Sequence, residues 1–176
     1  MNATQVLAAQ HRAIEALFDE LACETRRQAR GRAAARLTEE LIAHMAAEEK
    51  IFYPAARLAL GGFGRPGDSG GRAPNEHFML RVQLRRVLAT SLHTPAFAPR
   101  FEALRLLFAH HVETEETETF PRVEALLPAS ELRALGVMVQ GSRPPVWVVT
   151  TEAHAAIVSQ TDRSMRGVSL PSLREN

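Results

Sequence analysis

Cysteine is almost missing from this chain: Cys23 is the only one among 176 residues. An internal disulfide is therefore excluded, and so is a thiolate cluster, which leaves nitrogen and oxygen as the ligands for any metal. No excess of either charge is present, since 21 basic and 20 acidic residues leave a net charge of +1. Such a balance builds in no pull toward nucleic acid or an anionic membrane, and neither is expected as a partner. Long apolar runs are absent as well, with no stretch of about 18 residues that would span a bilayer. The opening MNATQVLAAQHRAIEALF has no basic start followed by an apolar core, so a cytoplasmic location is the expectation. What remains is ordinary for a soluble globular protein: 45% apolar and 23% charged residues, at a length that suits one domain better than two.

The apolar residues recur with the period of a helix. Leu7, His11, Ile14, Phe18 and Leu21 fall at spacings of four and three, one face of a 3.6-residue repeat, and Asn2 with Gln5 forms a capping box ahead of them. The charged stretch TRRQARGR around Gly31 predicts a corner. A second helix then carries Leu37, Leu41, His44, Glu48, Ile51 and Ala55 on one face. Residues 61–74, GGFGRPGDSGGRAP, predict a flexible connection. A third helix begins near Pro74 or Asn75 and carries His77, Leu80, Leu84 and Val87. A fourth carries Leu104, Phe108, His111 and Glu115. The expected fold is all-α, an up-and-down four-helix bundle over residues 1–127 with a C-terminal extension over 128–176. Within that extension PASELRALGVMVQ predicts a short helix capped by Ser130, and the text from about 142 onward supports no assignment.

One sentence is written twice. HMAAEEKIFYP from His44 and HVETEETETFP from His111 share a histidine, a pair of glutamates four and five residues later, an aromatic and a proline. His44, Glu48 and Pro54 stand 67 residues before His111, Glu115 and Pro121, and His11 stands 66 before His77. On a helix, residues four apart lie one above the other, so each motif presents an imidazole and a carboxylate on the core-facing side. A lone histidine on an apolar face is usually a hydrogen-bonded core residue. Four at matched positions with two carboxylates at matched offsets put six polar groups into one interior, where uncompensated burial would cost several kcal/mol. A metal is the expected compensation, and this donor set suits iron, manganese or zinc, with paired glutamates suited to bridging two ions.

Over about residues 5–125 these features resemble the hemerythrin-like HHE cation-binding family. The resemblance implies a four-helix bundle around two iron ions, with an oxo or hydroxo bridge, terminal ligands His11, His44, His77 and His111, and bridging carboxylates Glu48 and Glu115. Oxygen carriers of the family place the second bridge five residues after its histidine, so Glu116 competes with Glu115. They also carry an additional histidine on the third helix, where this chain has Ala73 and Arg81 four residues either side of His77. About two coordination positions would then stay open around two octahedral ions, one on each. His110 should face away from the metals, His93 and His154 should lie at the surface, and Tyr53 is a redox neighbour or packing. Glu15, Glu49 and Glu76 could orient imidazole N–H groups or serve as surface charge.

The function expected is sensing of, or reaction with, O2, NO or peroxide, with redox enzyme activity on NO or peroxide as one form. Reversible oxygen carriage is an alternative. Iron donation for iron–sulfur cluster repair ranks third, because repair proteins of the family carry a cysteine-bearing segment ahead of the bundle. Ferritin-like oxidases use Glu-x-x-His, the reverse order, and no such pair is placed to serve this site.

Overall fold

The computed structural model describes the backbone of residues 1–60 and 69–142, and the side chains of all of these except 69–74. Every element among them is helical. Helix α1 (Ala3–Cys23) starts at Asn2, whose side chain accepts from the Gln5 N–H while Gln5 returns a bond to the Asn2 N–H, the expected capping box. Helix α2 (Arg27–Ala47) packs against α1, and α4 (Ser69–Leu88) packs against α5 (Phe97–Thr114). The two hairpins meet through Phe18, Phe101 and Phe108. Together these four long helices form the expected bundle. No helix among the described residues is long and apolar enough to cross a membrane.

The apolar core is split in two. Ile14, Phe18, Leu37, Leu41, Leu80, Leu84, Leu104 and Phe108 belong to one buried cluster. Ala3, Leu7, Phe52, Phe120, Val123, Leu132 and Val139 belong to the other. His11 lies on α1 between Leu7 of one cluster and Ile14 of the other, and His111 follows Phe108 on α5. A polar layer thus has apolar packing above and below it, which keeps water out and weakens its dielectric screening.

Two interruptions of the helices matter for that layer. After α2 and after α5 the chain makes one π-helical turn, Glu48–Phe52 and Glu115–Thr119, before resuming as α3 (Tyr53–Ala59) and α6 (Phe120–Leu126). The Tyr53 N–H reaches back five residues to the Glu48 carbonyl, and the Phe120 N–H reaches the Glu115 carbonyl. Pro54 and Pro121 follow at once. A proline has no N–H and collides with the carbonyl four residues back, so the wider turn makes room for it. The extra residue advances the buried face by one position. Phe52 and Ala56 are fully buried, whereas Ile51 and Ala55, expected inside from an unbroken 3.6-residue period, are only partly so.

Three other expectations shift. The corner after α1 is Glu24–Arg26, tightened by the Arg26 N–H donating to the Glu24 carboxylate, and Gly31 lies inside α2. One glycine costs about 1 kcal/mol in a helix interior, which a long packed helix absorbs. Helix α4 begins at Ser69, five residues before Pro74, so it runs through the proline with one helical hydrogen bond fewer than an unbroken helix would have. Helix α7 (Ala129–Gly141) is the expected short fifth helix, but Pro128 precedes it without a side-chain cap, and Ser130 is its second residue. It lies on α1, where Gly136 comes so close that a Cβ would stand 2.7 Å from the Met1 carbonyl oxygen. The expectations for residues 143–176, His154 among them, lie outside the described residues.

Candidate metal centre

Each repeat half contributes one pair of imidazoles. His11 and His44, from α1 and α2, have ring centroids 4.7 Å apart, and His77 and His111, from α4 and α5, 4.9 Å apart. Glu48 lies between the pairs with one oxygen at each. Its Oε1 is 3.1 Å from His44 Nε2 and 3.8 Å from His11 Nε2, and its Oε2 is 3.1 Å from His77 Nε2 and 3.6 Å from His111 Nε2. Glu115 turns Oε2 toward one imidazole of each pair, 3.3 Å from His11 Nε2 and 3.7 Å from His111 Nε2. All six side chains are at most 2% exposed.

These inward atoms are poorly satisfied. Among the described residues seven buried side-chain atoms make no hydrogen bond of acceptable geometry, and six are here: Nε2 of His11, His44 and His111, both oxygens of Glu48, and Oε2 of Glu115. Orphaned buried polar groups cost about 1–3 kcal/mol each, so their convergence at one point asks for a cation. One donor atom each from His11, His44, Glu48, His111 and Glu115 lies within 4.8 Å of the others, and His77 joins through Glu48. The donor set therefore fits a metal.

The outer nitrogens are held as firmly as the inner ones are free. His11 Nδ1 is 2.8 Å from Glu116, His44 Nδ1 3.0 Å from Gln10, His77 Nδ1 2.8 Å from Glu49, and His111 Nδ1 3.2 Å from Glu76. With Nδ1 protonated and donating, every Nε2 lone pair points inward, the tautomer a metal needs. Arg12 in turn grips Glu116, and Arg81 holds both Glu49 oxygens at 2.7 Å.

The chain matches the Hemerythrin HHE cation binding domain over residues 2–123, well over half its length. It belongs to that family. Among solved structures it resembles a hemerythrin HHE cation-binding domain-containing protein from Mycobacterium kansasii, with 23% identity, a TM-score of 0.70, and 81% of this chain and 88% of the other covered. That likeness carries the fold. No curated protein matches.

Within the HHE bundle the expected residues sort themselves clearly. All six proposed ligands face the layer. Of the two candidates for the second bridge, Glu115 points inward while Glu116 turns aside to His11 Nδ1. Glu49 and Glu76 orient imidazoles, whereas Glu15 pairs with Arg12 on the surface. His93 and His110 are exposed. Gln10 and Glu116 were not expected as imidazole partners, yet the repeat points to both: Gln10 stands 66 residues before Glu76, and Glu116 stands 67 after Glu49. Tyr53 is more than packing, since its hydroxyl donates to Glu115 Oε1 at 2.7 Å and lies 3.4 Å from His77 Nε2.

Metal-free, the layer can balance its charges only with protons. Burial opposes protonation of His11, but the Glu115 and Glu48 carboxylates outweigh it and raise its pKa to about 9. His111 and His77 are likewise raised against burial, through Glu48 together with Glu76 and Glu49 respectively. His44, with only an amide at its outer nitrogen, is pushed down to about 3 by burial. Burial and the Glu48 charge lift Glu115 to about 7, while the surrounding histidines hold Glu48 low against its own burial. Burial and the two carboxylates keep the Tyr53 hydroxyl protonated far above its ordinary range.

Proposed function

We propose that this HHE protein holds two iron ions and uses them to sense or consume O2, NO or peroxide. The observation that carries the reading is Glu48, whose two buried, unsatisfied oxygens each face a separate pair of inward-turned imidazoles. Four histidines and two glutamates offer more donors than one ion takes, and imidazole with carboxylate suits iron in the family's setting. In this reading His11 and His44 would hold one ion and His77 and His111 the other, with Glu48 and Glu115 available to both. Bound there, the metal pair supplies redox equivalents and Lewis acidity to a small ligand.

The chain's own residues do the rest. The two apolar clusters exclude water from the layer. Tyr53 holds a proton at its hydroxyl and donates it in a hydrogen bond to Glu115 Oε1, which fixes that carboxylate beside His77. Arg81, four residues beyond His77 where a carrier's additional histidine could stand, points its guanidinium at Glu49 instead. With no fifth imidazole in the layer among the described residues, the donor count supports reaction or sensing over reversible storage. The partner on this reading is a small diatomic molecule or peroxide, not a nucleic acid or a membrane.

Metal analysis of protein expressed with ample iron, followed by anaerobic stopped-flow mixing of the reduced form with O2, NO and peroxide, tests it. About two irons per chain and rapid irreversible oxidation are expected. An oxygen adduct that persists for hours and releases O2 on deoxygenation would establish carriage instead, and metal content near zero would end the di-metal reading.

A further inference from the structure

The repeat makes the surroundings of the two imidazole pairs comparable position by position, and two differences bear directly on the groups that touch the layer's polar atoms. Glu49 and Glu116 are repeat equivalents, and both accept from an imidazole of the opposite half, at 2.8 Å each. Gln10 and Glu76 are also equivalents, each one residue before a histidine and each on the Nδ1 of its own half. Here the symmetry breaks: one is an amide and the other a carboxylate. The second break is Tyr53 against Phe120. The hydroxyl of Tyr53 reaches Glu115, whereas the Phe120 ring lies flat on His11 at 5.8 Å with 5° between planes.

We infer that the two metal positions are unequal by construction, with Gln10 as the positioning residue that makes the His11/His44 position the weaker and more exchangeable one. An imidazole donating to a carboxylate gains basicity at its other nitrogen, and one donating to a neutral amide gains less. The His77/His111 position has two carboxylate-backed imidazoles. The His11/His44 position has one, and its other imidazole, His44, is backed by Gln10. Beside His11 it also has the apolar Phe120 ring where the other half has the Tyr53 hydroxyl. The first ion therefore goes to His77/His111, and the second, at His11/His44, leaves first.

This rests on the two-metal reading, and the experiment separates the two. Metal-free protein is titrated anaerobically with ferrous iron and read by calorimetry, and half-loaded samples made with 57Fe are read by Mössbauer spectroscopy. Two steps separated by about 10-fold or more in affinity are expected, with a single ferrous doublet at half loading, because replacing such outer partners commonly changes affinity by about 10–100-fold. Gln10→Glu should close the gap by tightening the second step. Glu76→Gln should close it by weakening the first. The two variants lie in different halves, so misfolding of one, seen as lost helicity, leaves the other to decide. Two steps of equal affinity in the wild type, two equal doublets at half loading, or a gap that neither variant changes would overturn the inference while leaving two ions in place. Uptake of fewer than two ions would overturn it together with the reading on which it stands.

Discussion

Among the described residues Glu48 is the one side chain whose two oxygens face different imidazole pairs, so its loss is felt by both at once. Glu48→Gln is expected to remove more than half of the bound metal with helicity retained, and full retention of metal would show that Glu48 does not bridge. His11 sets a pH dependence in the metal-free protein. Its pKa is raised to about 9 from an ordinary 6.5, so its contribution is fully present below about pH 6.5 and is lost as pH rises through 9. Glu115, lifted from 4.5 to about 7, adds a cost of its own that builds between about pH 4.5 and 7, ahead of the loss at His11. The melting temperature of metal-free protein should thus fall between pH 6.5 and 9, and that of loaded protein should change less, because ions replace the protons. A metal-free protein that gains stability over this window would contradict the charge assignment. The six inward residues were legible in the sequence because a doubled spacing is hard to produce by chance. Gln10 and Glu116 were legible as imidazole partners only through their repeat equivalents Glu76 and Glu49, because Gln10 carries no charge and the spacing of Glu116 equally suits a bridging ligand.

At the scale of elements, the π turns were invisible to a 3.6-residue period. That period put Ile51 and Ala55 inside, and the turn put Phe52 and Ala56 there instead. The prolines at matched offsets were the signal, since each removes the hydrogen bond that an unbroken helix would need. Pro54→Ala restores an N–H that can bond to the Lys50 carbonyl and draw the turn toward α geometry. Metal affinity should fall while the metal-free helix becomes no less stable, read by metal titration beside thermal melts. Parallel losses in both would mean that Pro54 acts only through packing. Helix α7 makes a simpler prediction. A Cβ on residue 136 would lie 2.7 Å from Met1 O and 2.9 Å from Asn2 C, so Gly136→Ala must separate α7 from α1. Overpacking of this kind costs about 1–3 kcal/mol, and an unchanged melting temperature would show that α7 shifts freely on the bundle.

Taken whole, the bundle was the most legible feature, because four amphipathic stretches with a repeated order leave few ways to bury six polar side chains together. Removing metal is expected to lower stability by about 4 kcal/mol when free metal stands near a thousandfold above its dissociation constant. Equal melting curves with and without chelator would mean that the layer satisfies itself. The repeat halves are also not self-sufficient. Glu49 of the first half holds His77 of the second, and Glu116 of the second holds His11 of the first. Neither hairpin can fix its full set of imidazoles before the other has docked. In time, then, the centre should be the last thing to exist: in refolding with metal present, helical circular dichroism should recover before the metal's optical signal does. If the two recovered at the same rate at every metal concentration, capture would be part of nucleation. If the metal signal lags, the ions act as a clock that starts only when the two hairpins have found each other.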